Sequence, residues 1–144
     1  MLAHDIMTSP VVKIQHDATI NEAIALMVRH DIGFLPLVRD GWLCGVVTDR
    51  DILIRGMRGG GLEPFDPIKS LATQKAHQAT PNTPLDEIVG MMASYSLRRV
   101  PVCDSLGYLV GVISLTDIAR LDSGERAAQI LRGPQKPACG LRSV

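Results

Sequence analysis

Cys44-Gly45-Val46-Val47-Thr48-Asp49-Arg50-Asp51-Ile52 is written a second time in this chain, as Val110-Gly111-Val112-Ile113-Ser114-Leu115-Thr116-Asp117-Ile118. In both stretches a glycine sits in an aliphatic run, a hydroxyl residue follows, and an aspartate stands three places further on, just ahead of an apolar residue. The glycines are 66 residues apart (111 minus 45). Self-similarity at a fixed spacing marks a repeat architecture and has to be read before any single element. Working outward, Ile32-Gly33-Phe34-Leu35-Pro36-Leu37-Val38 is answered by Leu97-Arg98-Arg99-Val100-Pro101-Val102-Cys103, with the prolines 65 apart (101 minus 36). The one-residue difference falls between Asp40-Gly41 and Asp104-Ser105-Leu106-Gly107, turns in which an insertion disturbs least.

Upstream of each copy the sequence predicts a helix. Thr19 with Glu22 forms a capping box, and Thr83 is a cap followed by Pro84 at the first helical position, where the missing N–H costs nothing. Ile20, Ile24 and Met27, then Leu85, Ile88 and Met92, mark one buried stripe per helix. The aliphatic runs after each helix read as two strands joined by the turn, and Thr48 and Ser114 each cap a closing helix. Pro10-Val11-Val12-Lys13-Ile14 supplies an opening strand; its counterpart, Lys75 to Ala79, is polar and poor in β-branched residues. The expected fold is α/β (α+β): two β-α-β-β-α units packed sheet to sheet around a pseudo-twofold axis and sharing one core, because a unit of this size buries little surface alone. Residues 1–62 form the first unit and 63–122 the second, with Gly59-Gly60-Gly61-Leu62-Glu63-Pro64 as linker. In residues 123–144, Ser123 caps a short helix that ends at Gly133-Pro134, and a mobile tail from Gln135 to Val144 is expected.

Composition narrows the function. Of 144 residues 46% are apolar, 21% charged and 3% aromatic, which suits a folded domain and leaves almost no stacking platform for single-stranded nucleic acid. Fifteen basic residues balance fifteen acidic ones, without the excess that phosphate-backbone binding demands. A net charge of zero also offers little protection against self-association, which fits an oligomer. No basic leader opens the chain and no apolar run is long enough for a bilayer, so neither nucleic acid nor membrane is an expected partner and the expected location is cytoplasmic. Cys44, Cys103 and Cys139 are odd in number and lack metal spacing; Cys44 and Cys103, inside strand runs, read as small buried hydrophobes. His4, His16, His30 and His77 form no metal motif, and no nucleophile elbow or Walker loop is present, so neither a metal nor an enzyme is expected.

The doubled glycine, hydroxyl and aspartate pattern, each copy preceded by a proline strand and an Asp-Gly-like turn, resembles the cystathionine β-synthase (CBS) domain family, as a tandem pair over roughly residues 2 to 122. The resemblance is to a regulatory module, not to the synthase's chemistry. It implies two clefts between the units that take adenosine-containing ligands such as AMP, ATP or S-adenosylmethionine, and association into a homodimer. It places the hydroxyl and the ribose-binding aspartate at Thr48 and Asp51, and at Ser114 and Asp117. The basic residue that contacts phosphate in some members corresponds to Arg50, whereas the second copy has Thr116 at that position. Lys13, Phe34 and Pro36 on one side, and Arg98, Arg99, Val100 and Pro101 on the other, complete the expected ligand-binding set.

The chemistry is consistent with those roles. A carboxylate can accept both protons of a cis-diol, and the amides of a first helical turn favour a nearby phosphate. The same spacing is also that of an ordinary helix cap, and both roles can hold together. With Arg50 beside Asp51, the first cleft is expected to be the better one. Arg98 and Arg99 are expected to be solvated or ion-paired, with phosphate contact as the alternative. His77 is placed at an exposed edge. The expected function is therefore a ligand-sensing module acting on an unidentified effector protein, set against a ligand-free dimerisation scaffold in which the motifs only cap helices.

Overall fold

The computed structural model describes residues 1–134; Cys139 and the tail from Gln135 to Val144 lie outside the described residues. A short helix, α1 (Ala3–Ile6), leads into the first unit: β1 (Ile14–Gln15), α2 (Ile20–His30), β2 (Phe34–Arg39), β3 (Trp42–Thr48) and α3 (Asp49–Arg58). A 3-10 turn at Ile68–Leu71 leads into the second: α4 (Leu85–Tyr95), β4 (Arg99–Cys103), β5 (Leu109–Ser114) and α5 (Leu115–Ala119), after which α6 (Glu125–Arg132) follows. β2 and β3 pair antiparallel around Asp40-Gly41, whose φ values of 50° and 86° are those of a type I′ hairpin turn. β1 lies parallel to β2, with Ile14 opposite Leu37. Of the expected opening strand only its end is strand, and its second copy contracts to one parallel bridge, Ala79 to Val102, at positions 65 further on. Pro10 cannot donate to a ladder, and Lys75 to Gln78 lack the apolar side chains that would hold a strand on the core.

Three other expectations need correcting. The second long helix is not capped by Thr83, whose hydroxyl accepts from the Thr80 amide at 2.9 Å. Pro84 takes the cap position, and the first free amide, that of Leu85, donates to the Met1 carbonyl at 2.9 Å. Ser123 does not cap α6; Gly124 does, held by its amide donating to the Asp122 carboxylate at 2.7 Å. Cys44 is exposed, because β3 carries one extra residue between Leu43 and Gly45 opposite Leu37 and Val38, and this bulge turns Cys44 out of the inward alternation. Cys103, on a straight partner strand, is buried as expected.

The buried residues form two cores rather than one shared core. The first gathers Ile20, Leu35, Leu37, Val47 and Ile52; the second gathers Leu85, Ile88, Met92, Val100, Val102, Ile113 and Ile118. Each unit borrows from the segment that leads the other. Ala3 lies in the second core, and its counterpart Ile68 (3 plus 65) lies in the first, both fully buried. Two paired bridges tie the exchange. The Thr8 amide donates to the Val112 carbonyl at 2.8 Å and the Val112 amide donates to the Thr8 carbonyl at 3.1 Å, while Thr73 and Val46 repeat this at 2.8 Å and 3.0 Å. The motif glycines mark these crossings. A Cβ on Gly45 would stand 3.0 Å from the Thr73 carbonyl oxygen, and one on Gly111 would meet Met7.

Trp42 and Tyr108 bridge each other, with the rings in edge-to-face contact at 5.7 Å. They are counterparts, 66 residues apart, so a residue is paired with its own repeat. That places the pseudo-twofold axis between the two hairpin turns.

Candidate functional site

Beside this axis opens a cleft of about 200 Å³, lined by Thr8, Pro10, Val11, Val12, Ile32, Phe34, Pro36, Arg99, Val112, Ser114 and Asp117. The arm exchange builds it. Thr8, crossing onto β5, lies against Val112, and the chain between Thr8 and β1 forms a wall facing the start of α5. The apolar side comes from the first unit and the polar side from the second.

At the head of α5 the Ser114 hydroxyl accepts from the Asp117 amide at 3.1 Å and donates to Asp117 Oδ2 at 2.8 Å. The Ser114 amide donates to the same oxygen at 2.8 Å, so the capping box is complete. Oδ1 of Asp117 accepts no hydrogen bond among the described residues. Capping therefore occupies one oxygen of this carboxylate and leaves the other available. Arg99, from β4, holds its guanidinium carbon 6.0 Å from the centre of the Phe34 ring on β2, a cation–π approach from one unit to the other across the cleft.

The first copy of the motif differs. Thr48 and Asp51 form the same box at the head of α3, with the Thr48 amide donating to Asp51 Oδ2 at 3.0 Å. Here the second oxygen faces a cation: Arg55 Nη2 stands 3.6 Å from Asp51 Oδ1, an ion-pair contact longer than a hydrogen bond. Arg50 is exposed on α3.

Of the expected set, the cleft thus brings together Phe34, Pro36, Arg99, Ser114 and Asp117, joining the apolar strand of one copy to the carboxylate of the other. Lys13, Arg98 and Thr116 are exposed and stand outside its lining, and Val100 is core. Pro101 is buried on β4. His77 is exposed and stacks on Tyr95, with ring centres 3.8 Å apart. Thr8, Pro10, Val11, Val12, Ile32 and Val112 were missed, Pro10 to Val12 being expected only as part of the opening strand. Ile32 and Val112 lie within the repeated stretches, but Thr8 enters only through the exchange, which no local pattern encodes. No three His, Cys, Asp or Glu side chains come together as a metal cluster among the described residues. None of the described helices is long and apolar enough to cross a membrane.

Comparison with known proteins agrees with this architecture. The CBS domain model matches twice, over residues 3–57 and 68–124. The CBS domain-containing protein YhcV of Bacillus subtilis is 35% identical over 115 residues, 80% of this chain and 81% of that protein. Hypoxic response protein 1 of Mycobacterium tuberculosis is 38% identical over 120 residues, 82% of each. A crystal structure of Hypoxic Response Protein I with two coordinated zinc ions superposes with a TM-score of 0.76 at 35% identity, covering 85% of this chain and 99% of that one. The CBS domain pair of protein MJ0100, solved with 5′-methylthioadenosine and S-adenosylmethionine, gives 0.76 at 28% identity, covering 87% and 98%. With two matched copies, an exchanged-arm fold and a cleft at the pseudo-twofold axis, this chain belongs to the CBS domain family as a tandem pair.

Proposed function

We propose that the chain is a regulatory module that holds an adenosyl ligand in the cleft between its halves and relays occupancy to a separate effector protein. The observation that carries this reading is Asp117: a carboxylate with one oxygen committed to its helix and one left over, lining a cleft whose opposite wall is Ile32, Phe34 and Pro36. An adenine suits the apolar wall, and a ribose diol suits the free oxygen. Each charge-assisted hydrogen bond contributes about 1.5 to 3 kcal/mol. Arg99 supplies the positive charge for a phosphate. The related MJ0100 pair, solved with two adenosyl compounds, supports the ligand class.

A ligand touching both units shifts their relative arrangement only if it binds one arrangement better, and a cleft with one wall from each unit provides that inequality. We further propose a homodimer formed through the exposed apolar residues of α2 and α3, among them Val28 and Met57.

Calorimetric titration with AMP, ATP, 5′-methylthioadenosine and S-adenosylmethionine tests the ligand reading. Asp117→Asn keeps an acceptor for the Ser114 amide but loses the charge, so it should weaken ribose-bearing ligands by about 10- to 100-fold with little change in stability. Binding equal to wild type removes Asp117 from the role. Protein freed of carried-over nucleotide that takes none of the four compounds is the scaffold, with the motifs as caps alone.

A further inference from the structure

The pseudo-symmetry that builds the Asp117 cleft sets Asp51 at the equivalent place in the other half, and the two carboxylates are not equally free. Thr8 and Asp117 line the open cleft. Their counterparts are Thr73 (8 plus 65) and Asp51 (117 minus 66), and the matched bridges of Thr8 to Val112 and of Thr73 to Val46 establish the equivalence in space. Between Thr73 and Asp51 lies a guanidinium. Arg55 donates from Nη1 to the Leu71 carbonyl at 3.0 Å and from Nη2 to Thr73 Oγ1 at 3.1 Å, and the same nitrogen stands 3.6 Å from Asp51 Oδ1. In the other half the corresponding residue is Leu121 (55 plus 66), which packs against the second core and leaves Asp117 Oδ1 alone.

We infer that Arg55 is a built-in occupant of the Asp51 site, so that the chain takes one adenosyl ligand, in the Asp117 cleft, and not two. A diol approaching Asp51 meets a carboxylate oxygen already facing a cation that is itself tied to Thr73, the counterpart of the cleft-lining Thr8, and to the Leu71 carbonyl. A planar guanidinium with several donors can hold such a fork; a leucine cannot. The Arg55 side chain is 45% exposed, so replacing it uncovers the site without hollowing a core. The count of one rests on the function proposed above; the gain on removing Arg55 does not.

The experiment is titration calorimetry with AMP and with 5′-methylthioadenosine on the full chain, comparing wild type, Arg55→Leu, Arg55→Ala and Arg55→Leu/Asp51→Asn, with thermal melting to confirm that each variant is folded. One site per chain in wild type, two in Arg55→Leu and in Arg55→Ala, and a return to one when Asp51 is also changed is the expected pattern. A wild type that binds one ligand, with folded Arg55→Leu and Arg55→Ala that bind no more, overturns the inference and leaves the Asp117 reading standing; none bound by any of the three overturns both. Two sites in wild type also overturn it. If wild type binds nothing but Arg55→Leu gains one Asp51-dependent site, the masking role of Arg55 holds and the function assigned to the Asp117 cleft falls.

Discussion

At the scale of single residues, the doubled motif serves structure and site with the same atoms. Ser114 and Asp117 close a capping box and still leave Asp117 Oδ1 free, so the cap and the candidate ligand contact are not alternatives. That was legible from the spacing of a hydroxyl residue and a carboxylate three places apart. What decides between the two copies was not. Arg55 engages Leu71 and Thr73, 16 and 18 residues further along, and nothing local to its helix signals partners at that distance. The cysteines make a similar point. Burial raises both thiols, that of Cys103 up to about 11 with Asp104 adding to the rise, that of Cys44 with Arg39 opposing it; the bulge leaves Cys44 exposed with its thiol donating to the Leu37 carbonyl at 3.3 Å. Since the thiolate is the nucleophile, iodoacetamide at about pH 8 should alkylate Cys44 well before Cys103, which should react only on unfolding. Peptide mass spectrometry that finds the two labelled at equal rates in folded protein contradicts this. The linkage has one sign: folding favours the protonated Cys103, a contribution intact below its ordinary value of 9.0 and lost as pH rises through about 11.

At the scale of elements, hairpins and long helices were readable because their determinants are local: Asp40-Gly41 for the turn, Thr19 with Glu22 for the start of α2. The opening strands were not, because they depend on what the neighbouring unit leaves uncovered. The motif glycines show how a long-range cause hides inside a local pattern. Gly45 has no left-handed φ to explain it; it is a glycine because the arm from the other unit crosses directly over it. The Thr73 carbonyl, 3.0 Å from where a Cβ would stand, is held on both sides by its bridge to Val46 and cannot retreat easily. Gly45→Ala should therefore destabilise the fold by about 1 to 3 kcal/mol, the usual cost of overpacking a filled contact. Urea unfolding monitored through Trp42 measures it. A midpoint equal to wild type with an unchanged slope shows that the arm accommodates a methyl group and that the crossing is looser than the distances imply.

Over the whole molecule, the repeat predicted two similar halves and a pseudo-twofold axis, but not that the halves trade their leading arms or that they are finished differently. In the second half α6 lies across α4 and α5, its first turn held by Arg126 to Asp122 at 2.9 Å, and it buries Ala127 and places Ile130 in that half's core. On the first half no described helix does the same for α2 and α3. There Val28 is 77% exposed, Met57 62% and Leu53 61%, with Ile54 and Ile24 beside them in sequence; Ile24, expected in the buried stripe of α2, is exposed, and Ala23 is buried in that helix instead. Apolar side chains gathered on two adjacent helices, on a chain with no net charge, are what an interface between copies requires. An isologous contact would set each of these residues near its own symmetry mate, so one acidic substitution places two like charges face to face in a desolvated patch. Light scattering on wild type should give twice the 15.6 kDa of one chain. Val28→Glu should give the single-chain mass without loss of helix content by circular dichroism. A wild type that is monomeric across a wide concentration range, or a Val28→Glu/Met57→Glu double variant that stays dimeric, places the contact elsewhere. Ligand titration of a folded monomeric variant then separates assembly from the site: the Asp117 cleft lies between the halves of one chain, so its affinity should survive the loss of the dimer.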